Sequence, residues 1–526
     1  MLRVLAMLAW IVTAAAAPAF ATVVLNRGND GDPETLDAAK TSTVAEANLL
    51  RDLYEGLVIH DQKADVAPGV ATSWTISPDG RTYTFQLRPD ARWSNADPVV
   101  AQDFVFSLRR LLDPATGSKY APVMFPILNA EKVHKSENGA KPEDLGVRAT
   151  DPHTLEIRLE RPTAYFLELL TNQTALPVHA ASIARLGADW LKPGNLVSNG
   201  AFTLKSFVPN GSIVLTRNPR YHAAATVRID EVRYFPTSDA AAATRRYLAG
   251  ELHIINDVPT DQYAQLKARL GAQVQTAAYL GTSFLILNTR KAPFTDVRVR
   301  RALALAIDRE FLADEIWAGT MLPAWGMVPP GVKNYPRRAE LDSQQTPIER
   351  EDEARALLSA AGFSTARPLK VELRYNMTDN NQRTMVAIAN QWKQVGVQTS
   401  FVHTDGKTHF AHLRDGGDFD AARYGWIADY SDAQNFLFLL ESGNAGLNVG
   451  SYDNPAFDAL MRRAAAEADL GLRADLLHAA DRIFVADLPW IPLMFYQSKN
   501  LVSPRVDGFV PNQQAAHATR FMSLRP

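Results

Sequence analysis

The chain has 526 residues, with 55 Lys+Arg against 57 Asp+Glu, a formal charge of −2 and no cysteine. A chain of that length forms two large lobes or about three domains, and its near-neutral charge gives no footprint for nucleic acid. Without cysteine there can be no disulfide, thiolate metal site, iron–sulfur cluster, cysteine nucleophile or lipid-modified cysteine anchor.

Residues 1–21 place Arg3 before an apolar run from Val4 to Ala17, which Pro18 breaks ahead of Ala19-Phe20-Ala21. This is the pattern of a secretory signal peptide cleaved after Ala21, and the run is shorter than the ~20 residues a membrane span needs. No later stretch is apolar for long enough to cross a bilayer. The mature protein is expected free in a periplasm, with no lipid anchor.

Thr22 to Asn26 reads as a short strand. Ala47, Leu50, Tyr54 and Leu57 recur at helical steps and predict a helix from about Val44. Trp74 and Ile76, then Tyr83, Phe85 and Leu87, alternate with polar residues around the turn Ser77-Pro78-Asp79-Gly80, so this segment is a β-hairpin. Asp97 and Pro98 suit the cap and first turn of the following helix. Leu155 to Leu159 and Ile213 to Thr216 read as strands.

The texture changes near residue 284. A buried-strand run, Ser283 to Leu287, precedes a helix capped by Asp296 and carrying Val299, Leu303, Ala306 and Ile307 on one face. A second helix carries Ala354, Leu357, Leu358 and Ala361 before Gly362. A strand from Leu369 to Tyr375, a helix from Asn381 to Val395 and a strand from Val397 to Val402 form a β-α-β unit, so the fold class is α/β with a mixed or parallel sheet.

No nucleophile elbow, S-x-x-K, H-E-x-x-H, phosphate-binding loop or dinucleotide fingerprint occurs. Dispersed carboxylates leave no linear trace, so a secreted hydrolase stays open as an alternative. His403-x-Asp405 with His409-x-x-His412 puts four N/O donors within ten residues. A polar loop leading into a solvated helix start accounts for them without a metal, and no metal or cofactor is expected. In Tyr424-Gly425-Trp426-Ile427-Ala428-Asp429-Tyr430 an apolar wall, a glycine and a carboxylate occur together. It is either a ligand wall or a buried strand with Asp429 as helix cap or internal ion-pair partner.

Several blocks recur in one order: Leu49-x-x-Asp52-Leu53-Tyr54-Glu55-Gly56-Leu57, Pro68-Gly69-Val70-Ala71-x-x-Trp74, Ala91-Arg92-Trp93-Ser94, Pro98-Val99-x-Ala101-x-Asp103-Phe104-Val105, Asn199-Gly200-Ala201-Phe202, Arg217-Asn218-Pro219-x-Tyr221, Ala292-Pro293-Phe294-x-Asp296-Val297-Arg298 and Ala306-Ile307-Asp308-Arg309. Through them nearly all of the mature chain resembles the extracytoplasmic solute-binding proteins of family 5, the peptide, murein-peptide and nickel receptors of ABC importers.

The resemblance implies a two-lobed periplasmic-binding-protein fold with two crossovers and an extra domain on the first lobe. By the family pattern residues 22–45, 179–280 and 497–526 form lobe I, 46–178 the extra domain and 281–496 lobe II, with crossovers at residues 279–282 and near 496–497. It implies a monomer that captures a short peptide, delivers it to the membrane permease of an ABC importer, and is not an enzyme. Asp429 would pair with the ligand's α-ammonium, Gly425 and its neighbours would pair with an extended peptide, and Arg423 would reach its carboxylate. Trp426, Tyr120, Tyr279 and Asp32 fall where relatives line the cleft. Trp317 and Asn381 replace a Lys and a His of some relatives, which leaves peptide length open. Gly281 and Ile427 stand where enteric relatives carry a cysteine pair. The alternative keeps the fold and changes the solute to a murein peptide, nickel chelate, haem or oligosaccharide.

Overall fold

Eleven strands join into one mixed sheet. They are β1 (Val24–Asn29), β2 (Phe202–Val208), β3 (Ser212–Arg217), β4 (Glu231–Pro236), β5 (Ile254–Ile255), β6 (Val274–Leu287), β7 (Met321–Pro323), β8 (Leu369–Asn376), β9 (Val397–Thr404), β10 (Ala421–Ile427) and β11 (Trp490–Val502). The order is β9-β8-β10-β6-β11-β5-β1-β4-β3-β2, with β7 on β11. The computed structural model describes residues 22–336, 338–341, 345–444 and 446–525, so the expected signal peptide lies outside the described residues. Among the described residues no helix is long and apolar enough to cross a membrane.

The β-α-β unit shows how sequence period builds this sheet. Leu369, Val371, Leu373 and Tyr375 alternate inward along β8, which runs parallel to β9. The helix between them, Asp379–Gln394, buries Met385, Ile388 and Trp392 at three- and four-residue steps. Gly396, at φ +89°, turns the chain out of it.

Two regions have separate cores. Leu49, Phe85, Phe104, Phe166, Phe202 and Val232 belong to one, which also takes in Val502 and Met522. Residues from Leu280 to Met494 build the other, around Phe284, Leu303, Trp392, Phe436 and Trp490. The long strands β6 and β11 run from one to the other. Val274 and Leu501 pack with Tyr263 and Leu266, whereas Leu285, Leu287, Ile491 and Leu493 lie in the C-terminal core. The ladder slips between: Ala278 faces Gln497 but Thr282 faces Phe495, leaving Tyr279, Leu280 and Gly281 opposite Tyr496. This is a two-lobed α/β architecture.

A four-stranded antiparallel sheet (Ala71–Ile76, Thr82–Leu87, Thr154–Arg158, Val147–Asp151) sits in the N-terminal region, with Trp74 opposite Phe85 in the expected hairpin.

Three boundaries differ from the sequence reading. The first helix, Val44–Leu53, has the capping box of Thr43 and Glu46. It stops short of the apolar period through Leu57, because the Gly200 N–H takes the Leu53 carbonyl at 2.8 Å and the chain turns to meet it. The helix expected at Asp97 begins at Ala101. The Asp103 carboxylate folds back to the Val100 N–H at 2.9 Å and the Trp93 indole at 3.1 Å, while Asp97 faces Asn95 and His179. Finally, β6 starts at Val274 and not Ser283, since Gln275 to Ala278 pair with β11 although they are too polar to read as core.

Candidate ligand-binding cleft

The site is built on β10. This strand pairs with β6 along its whole length but with β8 only at Ala421 and Ala422. One edge of residues 423–427 is therefore open. The Ala428 N–H donates to the Leu280 carbonyl at 2.8 Å, which sets the alternation: even-numbered residues bond to β6, and the N–H and C=O of odd-numbered ones face the open edge. The Arg423 carbonyl there accepts from His409 Nε2 at 2.8 Å. Gly425 and Ile427 turn their backbone groups to the same edge.

Asp429 follows at the end of this edge. Solvent reaches it, yet the surrounding protein desolvates its carboxyl and pushes it up to about 6. It is neither a helix cap nor an ion-pair partner among the described residues. Tyr120 and Tyr279 share its space: burial raises both phenols, and the negative charge of Asp429 raises them further. A cavity of about 390 Å³ opens beside Asp429, lined by Phe125, Glu160, Tyr165, Tyr430 and Phe438. The Trp426 indole donates to Asn435 Oδ1 at 2.8 Å and meets the Phe438 ring edge-on at 5.9 Å.

At the other end of the open edge Arg423 donates to Asn376 Oδ1 at 3.1 Å and to the Tyr496 hydroxyl at 3.0 Å. Asp32 lies apart from these groups in its bonding. Its Oδ2 accepts the Asn210 N–H in the turn between β2 and β3, and its Oδ1 is buried with no partner among the described residues. Asp30 is a second acidic residue whose charge, with that of Arg51, reaches Tyr279.

Trp317 and Asn381 are tied into the scaffold: the Trp317 indole donates to Thr384 Oγ1 at 3.0 Å and the Asn381 amide to the Asn376 carbonyl at 3.0 Å. Gly281 and Ile427 stand directly opposite in the ladder. His409 is fully buried on the Arg423 carbonyl and His412 bonds the Asp418 carbonyl, so the two rings serve different segments. No group of three or more metal-ligating side chains converges among the described residues.

Across the cleft the regions meet at several contacts, two of them beside the Asp429 cavity. Lys333 donates to the Ala64 carbonyl at 2.6 Å and to Glu168 Oε1 at 2.8 Å. Tyr165 stacks on Tyr430 with centroids 4.3 Å apart and planes 6° from parallel. Sequence reasoning passed over Tyr496, Asn376, Asp30 and Tyr165. Tyr496 alone carried a signal, as an aromatic at the second expected crossover.

Two cores joined by two long strands, a carboxylate unpaired among the described residues, a free strand edge and an oriented guanidinium together define a receptor for a small solute. The chain belongs to the bacterial extracellular solute-binding proteins, family 5, whose "family 5 Middle" segment matches residues 65–448; it is a binding protein and not an enzyme. It is 38% identical to the periplasmic oligopeptide-binding protein OppA of Escherichia coli over 95% of this chain and 92% of that one. It is 36% identical to the probable deoxycholate-binding periplasmic protein YgiS of Escherichia coli over 92% of this chain and 90% of that one. A solved structure of the murein tripeptide-binding protein MppA, in its unliganded open form, superposes with a TM-score of 0.87 at 36% identity, covering 96% of this chain and 97% of the other.

Proposed function

We propose that the protein captures short peptides by their free amino end in the periplasm and delivers them to the permease of an ABC importer. The observation that carries this reading is Asp429: a carboxylate with no ion-pair partner among the described residues, at the end of an open strand edge. An α-ammonium supplies the missing charge and several donors, and a charge-assisted hydrogen bond is strong and directional in a closed cleft. The free N–H and C=O of Gly425 and Ile427 pair with an extended backbone by strand addition, which ignores side-chain identity. Both likenesses to peptide receptors support this. A bile salt, the ligand named for YgiS, carries a carboxylate and no ammonium, so it leaves Asp429 unmatched.

Closure is a population shift. A ligand bridging both lobes favours the closed state by its differential affinity for it. In this reading residues 279–282 and 496–497 are the crossovers, with residues 22–45, 179–280 and 497–526 as lobe I, 46–178 as the extra domain and 281–496 as lobe II. Tyr120 and Tyr279 face the ligand's amino end and Trp426 backs its first residues. The protein works as a monomer, exported by a signal peptide cleaved after Ala21.

Mass spectrometry of ligand carried through purification, then calorimetry with tri- and tetrapeptides, tests this. N-acetylated peptides and the Asp429→Ala variant should bind at least ~30-fold more weakly, the loss expected when one partner of a desolvated charge pair is removed. Equal affinity for free and acetylated peptides, or tighter binding of deoxycholate than of any peptide, overturns the reading.

A further inference from the structure

A second cavity, of about 540 Å³, lies within the C-terminal region, and none of the cleft residues named above lines it. Its size falls in the range of roughly 300–1,000 Å³ that small-molecule sites occupy. Leu305, Ala306, Phe311 and Ile316 form its apolar wall with Val386 and Ala387 of the Asp379–Gln394 helix. Every lining residue falls between positions 305 and 394, so the cavity exists without closure of the lobes. Phe311 and Val386 are 44% and 43% exposed, and the wall is open to water. The turn Leu312–Ile316, which carries Ile316, is wound as a π-helix, a winding that recurs at functional sites.

The charged groups on this cavity are unevenly matched. Its two carboxylates are engaged: Asp308 Oδ1 accepts the Phe311 N–H at 3.0 Å, and Glu351 pairs with Arg355 at 2.8 Å. Its two guanidiniums are not. Arg350, 4% exposed, donates to the Gln345 carbonyl at 2.8 Å, but its closest carboxylate among the described residues is Glu310 at 3.9 Å, and its Nε is buried with no partner among them. Arg383 is exposed and meets only the Glu315 carbonyl, at 3.4 Å. Behind Arg350 stands a further cation. Arg309 and Arg350 both lie against the Trp325 ring, at 4.4 and 4.7 Å from its centre. Arg309 is fully buried on backbone carbonyls, and burial with the charge of Arg350 pushes it down to about 9. The charge this cavity can still pair is therefore positive, beside an apolar wall.

We propose that the cavity is a second binding site, separate from the cleft, for a small amphipathic carboxylate: the apolar chain lies against Phe311, Ile316 and Val386, and the head pairs with Arg350 and Arg383. A guanidinium meets a carboxylate with two parallel donors, and the apolar wall adds affinity in proportion to the area it removes from water. The inference goes beyond the peptide reading and does not depend on it.

The test is calorimetry with decanoate, 1-decanol and decyltrimethylammonium on wild type, Arg383→Gln and Val386→Asp. Both substitutions fall at exposed positions, and thermal melts followed by circular dichroism check that each variant folds. Wild type should bind one decanoate, at least ~10-fold more tightly than the cation of the same chain length. Arg383→Gln should weaken decanoate ~2–5-fold, the scale of one exposed ion pair, and leave decanol within about twofold. Val386→Asp, which sets a carboxylate on the apolar wall, should weaken decanoate ~10-fold or more. Decanoate affinity should be the same with and without a saturating tripeptide. Absence of decanoate binding, equal affinity for anion and cation, or binding that both variants leave unchanged overturns the proposal. Displacement of decanoate by the tripeptide places it in the cleft and overturns it as well. If the peptide reading itself fails, the two variants still decide this one.

Discussion

The N-terminal core and the cleft wall treat a carboxylate in opposite ways. Glu55, 1% exposed, receives the Tyr221 hydroxyl at 2.5 Å, His222 Nε2 at 2.7 Å and the Arg520 guanidinium at 2.8 Å. Burial alone would raise its pKa; the His222 hydrogen bond, the charge of Arg520 and the remaining bonds overcome that and hold it below the ordinary glutamate range. This cluster ties the start of the chain to its last turn. Asp429 has no such company among the described residues, and burial pushes its carboxyl up. A fully partnered charge fixes structure, whereas an unpartnered one at a cleft has affinity to give to a ligand.

The largest expected effect lies on the structural side. Glu55→Ala leaves Arg520 and His222 facing each other without the anion between them, and should destabilise by ~3–5 kcal/mol in denaturant unfolding. A loss under ~1 kcal/mol would show that the cluster is held by packing alone. Acid separates the two carboxylates next. The Glu55 pKa is depressed on folding, so its contribution is present above the unfolded value near 4.5 and is lost as pH falls through the folded one. Asp429 titrates at about 6, so affinity for an ammonium is full above that pH and falls below it, approaching ~tenfold per unit. Between about pH 5 and 6 the protein should release peptide while remaining folded, measured by calorimetry beside circular dichroism. Ligand loss that coincides with unfolding would break the comparison.

A third carboxylate sharpens it. Asp481 is fully buried, accepts the Tyr335 hydroxyl and the Ala339 N–H at 2.9 Å each, and is raised to about 7, chiefly by burial. Its folded pKa lies above the unfolded one, so stability falls as pH rises from the unfolded value toward 7 and levels off above it. Asp481→Asn keeps an acceptor for both donors and should raise the Tm at pH 8 by a few degrees, with the gain fading at pH 5. No gain at pH 8 would show a cation reaching the second oxygen.

How much of this was legible follows from what each feature depends on. Hydrophobic period gave the hairpin around Ser77–Gly80, the β8–helix–β9 unit and the texture change near 284, because those elements bury one face of a local pattern. Family likeness singled out Asp429, Arg423 and Gly425, yet composition could not choose between a cleft carboxylate and a cap, since that depends on which groups arrive from elsewhere in the chain. The open edge of β10 was legible only through family likeness, because it depends on where β8 stops pairing. Tyr496 was read only as part of the second crossover, because its bond to Arg423 joins residues 73 apart in the chain. Helix ends failed where a distant partner intervened, as Gly200 does at Leu53.

The smallest effect concerns the edge where the regions touch. Lys333 and Glu168 are 21% and 9% exposed and 2.8 Å apart, and Glu168 also faces His60 at 3.3 Å. A pair this close to water contributes about 1 kcal/mol or less to stability, so Lys333→Met should leave unfolding nearly unchanged. Its effect is on shape. The lysine spans the cleft from a loop of the C-terminal region to the Ala64 carbonyl and Glu168 of the N-terminal one, so its removal should let the unliganded lobes spread, seen as a larger radius of gyration in small-angle scattering that peptide restores to the wild-type value. If the radius does not change, the Tyr165–Tyr430 stack is the stronger tie at that edge, and Tyr165→Ala should then produce the spreading that Lys333→Met did not.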